Sequence, residues 1–451
     1  MKGKKVAFCG IGRSNIKLID MFLEAGANIT VCDKNEKINN EDIVNSLINK
    51  GVKVSLGENY LSNLDVDIIF RTPGMPYYLE ELTQARSNGI VVTSEMEVFF
   101  DLCPCFIVAV TGSDGKTTTT TLISEILKAD GKKVHLGGNI GKPLLPEIFK
   151  IKEDDIAVIE LSSFQLISMR KSPDIAVVTN LSPNHLDIHK DMNEYIDAKK
   201  NIIMHQNAFS KAILNLDNDI THGFAKSVRG ECRFFSRRCD VDNGAFILND
   251  RIVYKHNGEI IDIVGTDEIV LPGLHNLENY LAAISAVWGI VKSESIIKVA
   301  HEFKGVEHRT EFVREVNGVK YYNDSIASSP TRTISGTLSL YSEKIIMIAG
   351  GYDKKIPFDA LGSVISNKVK VLILLGDTAN KIEEAVRNAS NFKEGNPIII
   401  RVKNMEQAVF EAKNIAKSGD IVSLSPACAS FGLYKNFEER GNHFKELVNR
   451  I

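Results

Sequence analysis

Short apolar runs rich in β-branched residues alternate with amphipathic stretches along the chain. In the N-terminal part these runs are residues 5–9, 28–33 and 66–70. Between the first two, apolar residues recur at helical spacing, at Ile16, Ile19, Phe22 and Leu23. This alternation predicts a parallel sheet with helices packed on it, and we close this first domain at residue 93.

The same alternation returns twice further along the chain. The second series has strand-like runs at 106–111, 157–160, 175–180 and 212–217, a stretch typical of a small β-meander at 231–272, and an apolar helix at 276–291. The third series has runs at 344–350, 370–376, 396–400 and 420–425. We predict an α/β protein of three consecutive domains, 1–93, 94–299 and 300–451. The pattern in each domain is doubly wound α/β, and the first and third domains are Rossmann-like.

Composition narrows the class of protein. The 451 residues are 44% apolar and 25% charged with a net charge of −3, which is typical of a globular protein and gives no bulk attraction to nucleic acid or to an anionic membrane. No apolar stretch reaches the ~18 residues of a membrane helix, and the N-terminus lacks the apolar core of a signal peptide. The seven cysteines form no CxxC pair. We expect a cytoplasmic protein with reduced thiols.

The first predicted strand runs into GIGRSN at residues 10–15, and Asp33 ends the second strand. The arrangement is close to a dinucleotide-binding fingerprint, but Asn15 stands where the third glycine is expected. Two glycines at the start of a helix favour a diphosphate group in any case. A structural turn, an NAD-dependent dehydrogenase and another diphosphate ligand all stay open on this pattern.

Residues 106–118, FIVAVTGSDGKTT, predict a strand, a glycine-containing loop and a helix start. Such a loop can cradle phosphates with its backbone amides, while Lys116 adds positive charge and the Thr117 hydroxyl is suited to Mg²⁺. The usual phosphate loop has a further glycine where this chain has Val110. A polar helix cap with a solvated lysine is the simpler alternative.

Polar residues follow the next two strands of this series. Glu160 ends one of them, and Asn180, His185 and Asp187 come after the other. Carboxyl ends of parallel strands meet at one sheet edge, so Glu160 and His185 should lie near Lys116, where a carboxylate can hold Mg²⁺. A non-catalytic nucleotide-binding or switch protein is an alternative, although it would need neither the third α/β domain nor the His/Lys cluster of the second.

Taken together, these residues and the motifs around them resemble the Mur ligases, ATP-dependent amide-forming enzymes of peptidoglycan synthesis. The resemblance covers essentially the whole chain and rests on ordered motifs: TGSDGKTTT, ELSSFQL, NHLDIH, AKKNI, LPGLHNLEN, EHRTE, NDSIASSPT, GGYDKK and SPACASFGLYKNFEERG. The last motif is most similar to members that add D-glutamate. A relative that adds another amino acid, or that builds folate polyglutamate, is the alternative.

The resemblance implies a monomeric ligase that joins D-glutamate to UDP-N-acetylmuramoyl-L-alanine through an acyl phosphate, in support of cell-wall biogenesis, cell shape and cell division. It implies a UDP-substrate-binding first domain, an ATP-binding central domain and an amino-acid-binding C-terminal domain. Two Mg²⁺ ions are expected, the second organised by a carbamylated Lys199. Taken alone, a lysine in the predicted helix YIDAKKNII would be a solvated one.

Individual roles follow from the matching motif positions. Catalysis falls to Lys116, Glu160, His185 and Lys199, and the metal ligands to Thr117, Glu160, His185 and Lys199. ATP contacts fall to Gly112, Ser113, Asp114, Gly115, Lys116, Thr117, Thr118, His275, Asn276, Asn279, Arg309 and Asp324. UDP-substrate contacts fall to Gly12, Ser14, Asn15, Asp33, Lys34, Thr72, Pro73, Gly74, Asn139 and His185. D-glutamate contacts fall to Ser328, Lys354, Ser430, Phe431 and Phe437.

The chain departs from the family pattern at three of these positions. Ser113 stands at a usual threonine, Ile326 replaces a lysine expected near the phosphates, and Ser328 replaces a threonine near the glutamate carboxylate. Lys355 or Arg332 is the cation expected to compensate for Ile326.

Overall fold

The computed structural model describes residues 1–10, 13–35, 41–62, 64–183, 188–271, 273–353 and 356–451, without the side chains of residues 13–14 and 41–43. Its internal contacts divide the chain into two compact units. The first comprises residues 1–269 and 274–301, and the second comprises residues 270–273 and 302–451. Three sheets run through the described residues, two of them in the first unit.

The first sheet is parallel throughout, in the order β3-β2-β1-β4-β5. Its strands are β1 (Lys5–Cys9), β2 (Asn28–Asp33), β3 (Lys53–Leu56), β4 (Ile68–Arg71) and β5 (Val91–Thr93). Helices α1 (Arg13–Glu24), α2 (Glu41–Asn49) and α3 (Glu80–Ser87) alternate with them, and α4 (Glu95–Leu102) follows β5. The three strands predicted for this domain are confirmed. Strands β3 and β5 were not predicted from the sequence, because both are short and largely half-exposed.

The second sheet has nine strands in the order β14-β13-β12-β11-β10-β9-β6-β8-β7. They are β6 (Phe106–Thr111), β7 (Val134–Gly138), β8 (Ile156–Glu160), β9 (Ile175–Val178), β10 (Lys211–Asn215), β11 (Glu231–Ser236), β12 (Gly244–Leu248), β13 (Arg251–His256) and β14 (Glu259–Gly265). The helices are α5 (Lys116–Ala129), α6 (Ser163–Leu166), α7 (Met192–Met204), α8 (Asp219–Gly223), α9 (Leu274–Val287) and α10 (Ser293–Glu302).

The small β-meander predicted for residues 231–272 is confirmed for β12 to β14 but not for β11. Strand β11 adds parallel to β10, and β12 adds parallel to β11, so these residues extend the same sheet. Only β12, β13 and β14 pair in antiparallel fashion. The last two are joined by Asn257 and Gly258, both with positive φ, which is the two-residue turn that matches strand twist in a hairpin.

The first two sheets share one hydrophobic core. Buried Phe8 and Phe70 stack at 4.9 Å between ring centres in the first sheet, and the same cluster continues through Phe99 of α4 to Ala109 and Ile159 of the second. Burial of this size, at roughly 25 cal/mol per Å² of apolar surface, couples the two sheets strongly. Contacts between them are therefore part of the folded core.

The third sheet, in the second unit, has the order β15-β16-β20-β17-β18-β19, with β15 antiparallel to β16. Its strands are β15 (Glu311–Val316), β16 (Val319–Asn323), β17 (Ile345–Ala349), β18 (Val369–Leu374), β19 (Ile398–Arg401) and β20 (Ile421–Leu424). The helices are α11 (Pro330–Thr333), continued by a π-helical turn at Ile334–Leu338, α12 (Asp359–Lys368), α13 (Ala379–Arg387), α14 (Met405–Ile415) and α15 (Phe437–Asn449). Apolar clusters lie on both faces.

Candidate active site

The phosphate-type loop lies between β6 and α5, as predicted. Gly112 has a φ of 149° and Gly115 a φ of 77°, values that favour glycine. Space is equally restrictive, because a Cβ on Gly112 would lie 1.8 Å from Thr179 Oγ1 and one on Gly115 would lie 2.3 Å from Asn279 Oδ1. Both glycines are therefore required by conformation and by packing.

Residues after β9 hold this loop in place. The amide of Ser113 donates to the Asn180 carbonyl at 2.8 Å, and the amide of Asp114 donates to Asn180 Oδ1 at 3.0 Å. Thr179 Oγ1 donates to the Asp114 carbonyl at 2.6 Å. These bonds leave the first-turn amides of α5, which have no intrahelical acceptor and no side-chain cap, as the donors directed at a ligand.

Ser113 occupies a position where the family usually has threonine, and all of the hydrogen-bonding capacity of its hydroxyl is used within the protein. Its Oγ lies 2.9 Å from the Tyr195 hydroxyl, donates to the Ser182 carbonyl at 3.0 Å and accepts from the Ser182 amide at 3.0 Å. The side chain is buried, so its hydroxyl braces the loop against α7. Any contact of Ser113 with ATP would therefore come from its backbone.

Two lysines converge on one carbonyl of the loop. Lys116 Nζ donates to the Gly112 oxygen at 3.0 Å and to the Ser113 oxygen at 2.9 Å. Lys199 Nζ, from α7, donates to the same Gly112 oxygen at 2.8 Å and to Thr111 Oγ1 at 3.2 Å. Lys199 is only 2% exposed, so the reading as a solvated lysine is wrong. Burial, and then the charge of Lys116, lower the pKa of Lys199 well below 10.5.

Glu160 ends β8, and the β6–β8 register places it opposite Val110, beside the start of the loop. Its Oε1 accepts from Asn139 Nδ2 at 2.7 Å, and its buried Oε2 has no hydrogen-bond partner among the described residues. A buried carboxylate oxygen without a donor is costly unless a cation satisfies it. This orphaned oxygen fits the predicted magnesium ligand.

His185 lies outside the described residues, but a second histidine of the same motif is well placed. His189 is buried, with Nε2 2.8 Å from Ser163 Oγ and Nδ1 2.9 Å from Glu194 Oε1. Its ring stacks on Phe164 at 5.1 Å with an interplanar angle of 3°. Sequence reasoning missed His189, whose only signal was its place as the last residue of the NHLDIH motif.

Helix α9 supplies the predicted adenine-side residues. Asn279 is buried, accepts from Thr119 Oγ1 at 3.2 Å and donates to Asn276 Oδ1 at 3.1 Å. His275 is exposed in the first turn. Asn279 therefore locks α9 against α5, close behind Gly115.

The predicted UDP-substrate residues Asp33, Lys34, Thr72, Pro73 and Gly74 lie at or just after the carboxyl ends of β2 and β4, whereas Asn15 lies in α1 and Asn139 follows β7 of the second sheet. Asn15 is buried and donates to the carbonyls of Cys9 and Gly10 at 3.2 and 2.9 Å. A Cβ on Gly10 would lie 2.7 Å from Thr72 Cγ2, so the loops after β1 and β4 touch. Gly12 and the side chain of Ser14 lie outside the description. Asp33 ends β2, and Lys34, Pro73 and Gly74 follow the strand ends.

In the second unit, Asp324 follows β16 and is fully buried. Its carboxylate accepts from the Thr310 amide at 3.2 Å and from the Thr337 hydroxyl. Burial raises the pKa of Asp324 to about 6, against the opposing effect of these bonds and of half-buried Arg309.

Three of the predicted D-glutamate residues, Ser430, Phe431 and Phe437, belong to the last motif, and Lys354 lies outside the described residues. Ser430 is buried. Phe431 is exposed, with its ring centre 5.9 Å from that of Tyr352, and Phe437 begins α15 with its ring centre 5.9 Å from that of His308. Ser328 is half-buried. Lys355 also lies outside the description, and Arg332 is exposed on α11.

Buried Arg440, which sequence reasoning missed, ties this motif to the segment after β16. It donates to the Ser325 carbonyl at 2.8 Å, to Ser325 Oγ at 3.0 Å and to the Cys428 carbonyl at 3.1 Å. The segments carrying Asp324 and Ser430 are thereby held together.

Two family models match the chain. The Mur ligase middle domain matches residues 110–287, and the Mur ligase glutamate ligase domain matches residues 308–428. The chain belongs to the Mur ligase family. This Mur ligase is 54% identical over its full length to the UDP-N-acetylmuramoylalanine–D-glutamate ligase of Acetivibrio thermocellus, covering 97% of that protein. It is 51% identical, with the same coverage, to the protein of that name from Clostridium acetobutylicum.

Solved structures show the same fold in more distant proteins. The Mur ligase described here is similar to the UDP-N-acetylmuramate–alanine ligase of Thermotoga maritima, with a TM-score of 0.58, 17% identity and 99% coverage of both chains. It is also similar to a pseudomurein peptide ligase type C from Methanothermus fervidus, with a TM-score of 0.55, 18% identity and coverage of 99% and 100%. Within the described residues, every helix is too short or too polar to traverse a bilayer.

Proposed function

We propose that this protein is the ATP-dependent ligase that joins D-glutamate to UDP-N-acetylmuramoyl-L-alanine in cytoplasmic peptidoglycan precursor synthesis. The observation that carries the proposal is full-length identity of 54% to a ligase of that name. The geometry supports it, since the loop amides, two lysines and a carboxylate with an orphaned oxygen meet at one sheet edge.

The reaction has to activate a carboxylate before an amide can form. ATP phosphorylates the L-alanine carboxylate and leaves as ADP, and the D-glutamate amine then displaces phosphate from the acyl phosphate through a tetrahedral intermediate. The first step brings an anion to a triphosphate, so the site must supply positive charge. Lys116 and the first-turn amides of α5 supply it from this chain.

Bound Mg²⁺ would neutralise phosphate charge at this edge. Glu160 and Thr117 would hold one ion, and the orphaned oxygen of Glu160 supports that role. His185 and a carbamylated Lys199 would hold a second. The lowered pKa of Lys199 supports carbamylation, because only the neutral amine adds CO₂. Among the described residues, no group of three or more His, Cys, Asp or Glu side chains is arranged to hold a metal ion.

The finer architecture is part of the same proposal. The strand order β3-β2-β1-β4-β5 supports a Rossmann-like first domain at 1–93 that binds the UDP end of the substrate. The loop between β6 and α5 supports a central ATPase of the P-loop type at 94–299. The doubly wound third sheet supports a Rossmann-like domain at 300–451 for D-glutamate. We propose a monomer.

The test is a coupled assay of phosphate release with the UDP substrate and one amino acid at a time. D-glutamate should support turnover, and L-lysine or diaminopimelate should not. Lys116→Ala should abolish ADP formation while UDP-substrate binding, measured by calorimetry, persists. Normal ADP formation by Lys116→Ala would overturn the loop assignment, and turnover with another amino acid would overturn the substrate assignment.

A further inference from the structure

Arg71, the last residue of β4, reaches from the first sheet to the second. Its side chain is 2% exposed. Nη2 donates to the Phe164 carbonyl at 2.9 Å and to Ser168 Oγ at 2.7 Å, both on the α6 segment, and Nη1 donates to the Met75 carbonyl at 3.5 Å. One guanidinium thus bonds the loop that follows β4 and the helix that follows Glu160.

The partners of this guanidinium are neutral. Among the described residues no carboxylate lies within ion-pair distance of Arg71. Burial lowers the pKa of Arg71, the charge of Glu97 opposes that effect, and Ser168, whose hydroxyl donates to Glu97 Oε2 at 3.0 Å, links the two side chains. Arg71 Nε is buried without a hydrogen-bond partner in the described part of the chain. Burying a cation with incomplete compensation is expensive, so stability alone does not explain it.

Both ends of the Arg71 bridge lead to proposed substrate groups. On one side, Thr72 packs on Gly10 and starts the loop assigned to the UDP end of the substrate. On the other side, the ring of Phe164 stacks on that of His189. Ser163, which lies three residues after Glu160 in the chain, is hydrogen-bonded to the same histidine. The bridge therefore connects the loop assigned to the UDP end of the substrate with the segment that follows Glu160.

We propose that Arg71 is a positioning residue, which fixes the loop 72–75 relative to α6 and so sets the spacing between the UDP site and the carboxylate site at Glu160. The inference rests on the proposed function. Its energetic role is realised when one substrate occupies both sites, because remote binding then orients the reacting carboxylate.

The experiment compares Arg71→Met with wild type on two substrates. One is UDP-N-acetylmuramoyl-L-alanine, and the other is N-acetylmuramoyl-L-alanine 1-phosphate, which lacks the uridine monophosphate part. With the full substrate, kcat/KM should fall about 10- to 100-fold, as expected for lost orientation. With the truncated substrate, which cannot use the UDP loop, kcat/KM should stay within about twofold of wild type. Affinity for UDP alone, measured by calorimetry, should also be unchanged.

Matched variants separate positioning from folding. Arg86→Met is the control. Arg86 donates to the Tyr77 carbonyl, and its guanidinium lies over the Tyr77 ring at 4.4 Å, as that of Arg71 does at 5.5 Å. Unlike Arg71, it makes no hydrogen bond to α6 within the described residues. It should leave both substrates unaffected. Ser168→Ala removes the acceptor on the α6 side and should reproduce part of the loss on the full substrate only. If Arg71→Met fails to fold, Ser168→Ala and Arg71→Lys provide the same comparison.

The outcomes are distinct. An equal fall with both substrates, or no fall with either, would overturn the positioning role. Weakened binding of UDP alone would do the same by making Arg71 a direct part of the UDP site. Absence of D-glutamate-dependent phosphate release in the wild type would instead overturn the proposed function.

Discussion

Lys116 and Lys199 donate to the same acceptor, the Gly112 carbonyl oxygen, at 3.0 and 2.8 Å. Two ammonium groups on one oxygen repel each other, and the buried one carries the larger penalty because it has lost more water. The loop proposed to bind phosphate and the lysine proposed to bind CO₂ are therefore electrostatically coupled.

This coupling predicts a pH dependence of stability. The folded-state pKa of Lys199 lies below 10.5, so the unfolded chain binds more protons and the free energy of unfolding rises with pH between the two values. Urea unfolding in CO₂-free buffer should show this rise in wild type relative to Lys199→Met. The rise should shrink in a Lys116→Met background, where one cause of the shift is gone. Equal slopes in both backgrounds would refute the coupling.

Gly112→Ala should impair both folding and ATP use. The new Cβ would meet Thr179 Oγ1 at 1.8 Å, so the loop must move. We expect phosphate release to fall by about 100-fold or more, as for other losses of preorganised donors. Gly131, at the other end of α5 with a φ of 82° and open space around it, is the control. Gly131→Ala should cost about 1 kcal/mol of stability and leave kcat unchanged.

Glu160→Gln tests the orphaned carboxylate oxygen. Removing the charge should cut phosphate release by about 100-fold or more, because a metal ligand is lost. Thermal stabilisation by ATP with Mg²⁺ should also disappear, which differential scanning fluorimetry measures without any turnover. Glu147→Gln, which breaks only a Glu147–Lys150 ion pair beyond β7, should behave like wild type. Retained stabilisation by Mg²⁺ in Glu160→Gln would argue against the metal site.

The raised pKa of Asp324 predicts a second pH range over which stability changes. In this range the free energy of unfolding falls as pH rises, opposite to the effect of Lys199. Its pKa of about 6 lies above the ordinary 3.8, so its contribution to stability is present below pH 3.8 and is lost as pH rises through 6. The full loss is about 3 kcal/mol by the shift. Urea unfolding from pH 4 to 7 should show this loss in wild type and not in Asp324→Asn. Thr337→Val removes a bond that lowers the pKa and should move the window to higher pH.

The central strands of the three sheets were readable from sequence because each is a short apolar run, and β6 begins and ends where predicted. Strands β3, β5, β7, β15 and β16 were not predicted. Pairing was not readable, since β11 and β12 look like any hairpin strands until their neighbours are known. Lys199 depended on family resemblance, because burial of a helix lysine is a tertiary property. Arg71 had no local signal, as its acceptors Phe164 and Ser168 are 93 and 97 positions away.

The hairpin turn at Asn257 and Gly258 has a practical consequence. Strand β14 is the far edge of the nine-stranded sheet, six strands from β6, which at ~4.8 Å per strand is roughly 29 Å from the phosphate loop. Nothing lies within 4 Å of the space beside Gly258. A peptide tag or a fluorescent label inserted there would report on the enzyme in living cells while leaving its chemistry intact.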